Sequence, residues 1–301
     1  VEELVKKYFV RFYPLTGDLL ASYYLQLERK IEKENIETGI YTGFHAASEL
    51  YFDCEKFLQL FTDLRKLESK TKGSERMNVG RLITAMSYTF LQIAYKHGDG
   101  AGGFLDTKGE DLVVSSYIKE ALERLENSQG YGGISVYKED QGQLGRYCEE
   151  WRNQIQQQRQ KNKIIGLKVS SLGSADQRND NHFLFDNVLG FQSDFNQGWF
   201  LSSEDLLIKD IFFRPFKQTQ NLSIRFLLNE RHRMLPPEAI ELFINGRFVD
   251  RIDQNDFINK NGLIVLNKDL TINQNEKLYI KIYKNRKINN SVIACDEIQL
   301  L

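Results

Sequence analysis

The sequence predicts an α+β multidomain protein, an N-terminal antiparallel α-helical bundle followed by a C-terminal antiparallel β-sandwich, and three observations carry that prediction. Apolar residues recur at helical spacing as far as Ile155, they alternate from Leu167 onward, and turn residues divide the second half into short runs. The period changes within Leu144 to Ser171. There Leu144, Tyr147, Cys148, Trp151 and Ile155 share one helical face, and the polar, basic run 156–163 follows them. Domains are therefore expected at 1–160 and 161–301, joined by that linker. At ~3.5 Å per residue the linker is too short for the halves to swing freely, so they are expected to pack together with Trp151 near the contact.

In the helical half, Leu4, Val5, Tyr8, Phe9 and Phe12 form a first stripe that Pro14 ends, because proline has no N–H for the preceding turn. Leu19, Leu20, Tyr23, Tyr24, Leu27 and Ile31 predict a second helix with Glu28, Arg29, Lys30, Glu32 and Lys33 on its solvent face. Residues 35–47, with Gly39 and Gly43, read as a loop. Ser48 is the expected N-cap of a third helix burying Tyr51, Cys54, Phe57, Leu58, Phe61 and Leu64. Ser74 is the expected cap of the fourth, with Val79, Leu82, Ile83, Met86, Phe90 and Ile93 along its stripe, and HGDGAGG from His97 breaks it. A fifth helix is expected from Glu110 to Asn127, and QGYGG separates it from the sixth at Leu144. Amphipathic helices with mostly short connections predict an antiparallel bundle.

In the second half, Leu222, Ile224, Phe226 and Leu228 alternate with Ser223 and Arg225, as a half-buried strand requires. Asn245-Gly246 stands between two apolar runs and predicts a type I′ hairpin, whose turn residues both need positive φ. Further strands are expected at Leu263 to Leu266, Leu278 to Tyr283 and Val292 to Leu300, completing a sandwich of short antiparallel strands.

Composition narrows the function. With 40 basic and 41 acidic residues the formal net charge is −1, which argues against the basic stripe of a nucleic-acid binder. No apolar run approaches the ~18 residues of a membrane span. Cys54, Cys148 and Cys295 form no CxxC pair and are expected as buried thiols. His45, His97, His182 and His232 show no metal-ligand spacing, and HGDGAGG lacks the Gly-Lys-Ser/Thr ending of a phosphate loop, so it reads as a connector. The 41 acidic residues single out no catalytic pair. Val1 opens directly into a helical pattern without an initiator Met, so the chain is expected to be a piece of a longer protein.

The runs YFVRFYPLTGDLLASYYLQLERKIEKEN, ELYFDCEKFLQLFTDLRKLES and ERMNVGRLITAMSYTFL resemble the helical domain of unknown function found C-terminal to the barrel in bacterial α-glucuronidase-like proteins, which are similar to glycoside hydrolase family 67. The resemblance covers the first half. It implies a bacterial, polysaccharide-utilising parent that is periplasmic, cell-surface or secreted, with its catalytic carboxylates in a missing N-terminal barrel. VSS at Val169, FDN at Phe185 to Asn187, Gly198-Trp199, the Asn-Gly hairpin and the closing ACDEIQL resemble discoidin-like, galactose-binding-like jelly-roll sandwiches that serve as carbohydrate-binding modules. That second resemblance implies a glycan partner, an oligosaccharide or polysaccharide. It also implies a structural calcium held by an acidic residue of the first loop and a glutamate of the last strand, places that Asp186 and Glu297 occupy; no cofactor is required.

Sugar rings are bound by aromatic faces together with polar side chains that meet the hydroxyls. Arg178, His182, Phe195 and Trp199 bring those residue types together at the mouth of the sandwich and are the candidate carbohydrate-binding residues. Trp199 and Phe200 equally suit a core between two sheets. The expected function is a C-terminal accessory region of a glycoside-hydrolase-like protein, a helical scaffold plus a carbohydrate-binding sandwich without its own complete active site. The helical part would brace the barrel or form a homodimer. The alternatives are a structural or protein-interaction module with no glycan binding, and an enzyme with its own cleft between the halves.

Overall fold

A computed structural model describes residues 2–37, 43–128, 135–138, 142–172, 181–216, 220–273 and 275–301. The protein is α+β and divides into two compact units. The first comprises Val1–His97, Ala101–Phe104 and Ser115–Cys148; the second comprises Gly98–Gly100, Leu105–Val114 and Glu149–Leu301.

Up to the change of period the elements are α1 (Glu2–Phe12), α2 (Gly17–Glu34), α3 (Phe44–Leu50), α4 (Cys54–Glu68), α5 (Gly73–His97), β1 (Leu105–Lys108), β2 (Asp111–Val114), α6 (Ser116–Glu126), β3 (Val136–Lys138), β4 (Gly142–Gln143) and α7 (Leu144–Gln156). Within the first unit α1 packs on α2, α2 on α4, α4 on α5 and α5 on α6. Pro14 does end α1, and the chain turns at once into α2. Gly17 makes that turn so tight that a Cβ there would lie 2.7 Å from the Phe9 carbonyl carbon and oxygen. Inside the corner, Glu75 Oε1 accepts from the Leu15 N–H at 2.9 Å, the Thr16 N–H at 3.0 Å and the Thr16 hydroxyl at 3.1 Å. Val79, Ile83, Met86, Phe90 and Ile93 are buried along α5 as their spacing predicts, while Leu82 is half-exposed.

Four sequence expectations are corrected. Part of the expected loop 35–47 is helical, since Phe44–Leu50 forms α3, and 38–42 lie outside the described residues. Ser48 therefore sits inside α3 and accepts from Lys96 Nζ; the cap of α4 is Asp53, whose carboxylate accepts from the Lys56 N–H at 3.1 Å. Ser74 likewise lies within a helix, because α5 already starts at Gly73. The expected helix from Glu110 is shortened to Ser116, because Gly109 at φ +67° turns a β1–β2 hairpin in which Val114 faces Leu105 across the ladder. QGYGG lies outside the described residues.

The supposed linker is folded. Arg159–Gln160 is strand β5, which extends β1 and β2 to a three-stranded antiparallel sheet. Asn162 is fully buried, and its Oδ1 accepts from the N–H groups of Ile164 and Leu300. Thereafter come β6 (Ile164–Ser171), β7 (Phe200–Ser202), β8 (Leu206–Phe213), β9 (Gln220–Leu227), β10 (Ala239–Ile244), β11 (Arg247–Asp253), β12 (Ile258–Lys260), β13 (Leu263–Leu270), β14 (Leu278–Tyr283) and β15 (Ile293–Leu300).

They form two five-stranded sheets, in the orders β11-β10-β14-β8-β6 and β12-β13-β9-β15-β7, with antiparallel pairing throughout. Alternate residues of both sheets enter one apolar core, among them Val169, Ile208, Leu242 and Ile280 from the first and Ile224, Phe226, Leu266 and Ile298 from the second. The Asn245-Gly246 turn joins β10 to β11 with φ of 52° and 77°, the double positive value a type I′ turn demands.

Candidate functional site: a buried carboxylate cluster and a polar cleft

Strand β15 delivers two consecutive acids into the interior of the second unit. Its register against β9 shifts between Cys295 and Glu297, and both Asp296 and Glu297 end up buried. Asp296 Oδ2 accepts from the Gly190 N–H at 2.8 Å and meets Arg225 Nη2 at 3.1 Å, while Oδ1 has no hydrogen-bond partner among the described residues. Burial pushes its carboxyl up to about 6, with the Arg225 charge pulling the other way.

Glu297 Oε1 accepts from Asn162 Nδ2 at 2.9 Å, and Oε2 is buried without a hydrogen-bond partner among the described residues. Its carboxyl is driven well above the usual carboxylate range by burial first, then by the charges of Asp186 and Asp296. Asp186 Oδ1 accepts from the Val188 N–H at 2.9 Å, and its carboxyl is likewise raised by burial first, then by Asp296 and Asp99.

Two turns hold these groups in place. Asn187, at φ 63°, accepts from the Asn162 N–H through Oδ1 and donates to Asp99 through Nδ2. Gly98, at φ 55°, lets Val188 Cγ2 come within 2.8 Å of where a Cβ would stand. HGDGAGG is thus more than a slack connector, because its Gly98–Gly100 portion belongs to the second unit and carries Asp99 into the cluster. For calcium the fit is incomplete. Glu297 Oε2 is an acceptor that a cation could use, but among the described residues no three His, Cys, Asp or Glu side chains converge as a metal set.

A cleft of about 620 Å³ opens in the same unit, lined by Leu112, Gln158, Arg159, Leu189, Arg225 and Gln299 among others. The Arg159 fork is set by the end of α7: Nη1 donates to the Gln154 carbonyl and Nη2 to Gln154 Oε1, each at 2.6 Å. Gln154 is anchored in turn by donating to the Leu189 carbonyl at 2.6 Å. Arg225 and Gln299 reach the cleft because they alternate with the core residues Ile224 and Phe226 on β9 and Ile298 and Leu300 on β15. Fixed guanidinium and amide groups above leucine walls supply directed donors and acceptors beside an apolar surface, which suits a hydroxyl-rich ligand. The alternation that put Arg225 on the outer face is visible in the sequence, but its convergence with Arg159 is not.

The sequence-predicted sugar residues are placed as follows. Arg178 lies outside the described residues. His182 sits half-exposed in a short 3-10 turn, with its ring 4.0 Å from that of Phe183. Phe195 is half-exposed, meets the His232 ring at a tilt with centroids 4.7 Å apart, and packs on the small cluster of Trp199, Leu227, Met234 and Ala294. Trp199 is only 5% exposed; its Nε1 donates to the Phe191 carbonyl at 2.8 Å, and its indole covers Gly190, where a Cβ would come within 2.3 Å. The core reading describes Trp199, and neither face of its ring is open. Cys148 and Cys295 are buried thiols as expected, whereas Cys54 is half-exposed.

No family model matches the chain, and no curated protein matches it. Among solved structures it is similar to a family 35 carbohydrate binding module from an environmental isolate, at 12% identity and TM-score 0.23, covering 33% of this chain and 65% of that one. It is similar to a family 35 module from Clostridium thermocellum at 12% identity and TM-score 0.26, covering 45% and 98%. A family GH115 4-O-methyl-α-glucuronidase with specificity for decorated arabinogalactans gives 11% identity and TM-score 0.31 over 99% of this chain and 41% of that one. The chain thus spans about two fifths of that enzyme's length.

Proposed function

We propose that this chain is an accessory region of a bacterial glycoside-hydrolase-like protein, a helical-bundle scaffold followed by a carbohydrate-binding jelly-roll sandwich, with no complete active site of its own. The observation that carries the reading is the cleft around Arg159, Arg225 and Gln299, whose amide and guanidinium groups match glycan hydroxyls. The sequence resemblances of the two halves point the same way. In this reading the partner is an oligosaccharide or polysaccharide, and the parent supplies an N-terminal barrel and lies in the periplasm, at the cell surface or outside the cell. Asp186 and Glu297 are the residues that would hold a structural calcium, which would neutralise two buried carboxylates.

Glycan-array screening followed by calorimetry tests the reading. A glycan bound more tightly than about 1 mM by the whole chain, and lost in Gln158→Ala/Gln299→Ala with an unchanged melting temperature, is the expected result. Silence across the array removes the glycan role. One observation favours a protein-interaction module instead: α1 has no buried residue and leaves Leu4 71%, Tyr8 58% and Phe12 44% exposed. Dimerisation seen by light scattering and abolished by Tyr8→Glu would support that second reading.

A further inference from the structure

In the helical unit a cavity of about 530 Å³ opens beside the end of α1 and the α4–α5 connection, lined by Arg11, Phe12, Leu15, Lys70, Lys72 and Ser74 among others. Three cations on one cavity repel one another, and a chain with 41 acidic residues has ample means of neutralising them. It does not. Among the described residues Arg11, Lys70 and Lys72 make no ion pair, and the Arg11 guanidinium lies over the Phe12 ring, 5.8 Å from its centroid. Glu75, the acidic residue on the wall, is only 5% exposed, and its Oε1 already accepts three hydrogen bonds from Leu15 and Thr16. Its charge is therefore turned into the α1–α2 corner.

We propose that this cavity binds a compact oxyanion, a phosphate or sulfate group carried on a larger ligand. An oxyanion accepts charge-assisted hydrogen bonds from a guanidinium and two ammonium groups at once, and the Ser74 hydroxyl offers a further donor. Phe12, Pro14 and Leu15 give the rest of the ligand an apolar wall. The site lies wholly within the helical unit and does not depend on the glycan reading of the cleft.

Calorimetry on the whole chain at low ionic strength, with inorganic phosphate and inorganic sulfate against sodium chloride of equal ionic strength, tests the proposal. Saturable binding of one of the two ions is expected, with affinity falling about tenfold in Arg11→Ala, the loss of roughly one charge-assisted hydrogen bond, and about a hundredfold in Lys70→Ala/Lys72→Ala, the loss of two. Lys70→Arg/Lys72→Arg is expected to retain binding. Because all three side chains are exposed, these variants should melt as the unchanged protein does in chloride. A hexose monophosphate and the matching hexose monosulfate then separate the sources, and the tighter binder names the ligand class. Heat no greater than the chloride control, or binding indifferent to both sets of substitutions, overturns the site.

Discussion

Replacing Glu297 by glutamine isolates the energetics of the buried carboxylates. Gln keeps the Oε1 acceptor for Asn162 Nδ2 and removes the ionisable proton from a side chain only 1% exposed. Because the Glu297 carboxyl is raised in the folded chain, that chain binds more protons than the unfolded one between the ordinary carboxylate range and the raised value. The stability tied to this group is therefore complete below the unfolded pKa and is lost as pH rises through the folded one. The neighbouring Asp296 shows how strongly burial acts on a carboxyl of this strand. Its carboxyl stands at about 6 against 3.8 even with Arg225 at 3.1 Å, a rise of about two units, or about 3 kcal/mol at ~1.4 kcal/mol per unit.

Glu297 has like charges as its chief neighbours, so Glu297→Gln should match the unchanged protein below the ordinary carboxylate range and become progressively more stable than it as pH rises through and beyond that range. Urea denaturation in EDTA, followed by tryptophan fluorescence, reads the correct unit, since Trp151 and Trp199 both belong to it. A difference independent of pH, or a variant weaker at the higher pH, would refute the reasoning. With calcium replacing EDTA, a bound ion would stabilise only the unchanged protein and narrow the gap.

Three other outcomes follow from the geometry. Gly17→Ala drives a Cβ to 2.7 Å from the Phe9 backbone and should destabilise the helical unit by about 1–3 kcal/mol, read as reduced urea resistance by circular dichroism. Gly246→Ala places an alanine at φ 77° and should cost about 1 kcal/mol, with no loss of the glycan binding proposed for the cleft. Trp199→Phe removes the Nε1 donor to the Phe191 carbonyl and part of the indole lying over Gly190, and should cost about 2 kcal/mol by fluorescence-detected unfolding through Trp151; a neutral effect would place the indole outside the core.

The sequence by itself determined what depends on near neighbours along the chain. Helix faces, the stop at Pro14, the Asn245-Gly246 turn and the alternation of the later strands all follow from side-chain period and turn chemistry within a few residues. Its errors were also local contests. Asp53 displaced Ser48 as a cap, and Gly109 turned a hairpin where an apolar spacing suggested helix. Only a family resemblance links Asp186 to Glu297, since nothing in their spacing does.

The tertiary structure alone decided which distant residues meet. Asn162, read as part of a polar linker, lies at the centre of the carboxylate cluster because β6 and β15 bring it against Ile298 and Leu300. Arg159 and Arg225 share a cleft because β5 and β9 place them there, and Arg11 joins Lys70 and Lys72 because α1 ends beside the start of α5. Such meetings depend on pairing register and close packing between segments far apart in the chain, and local periodicity carries no information about either.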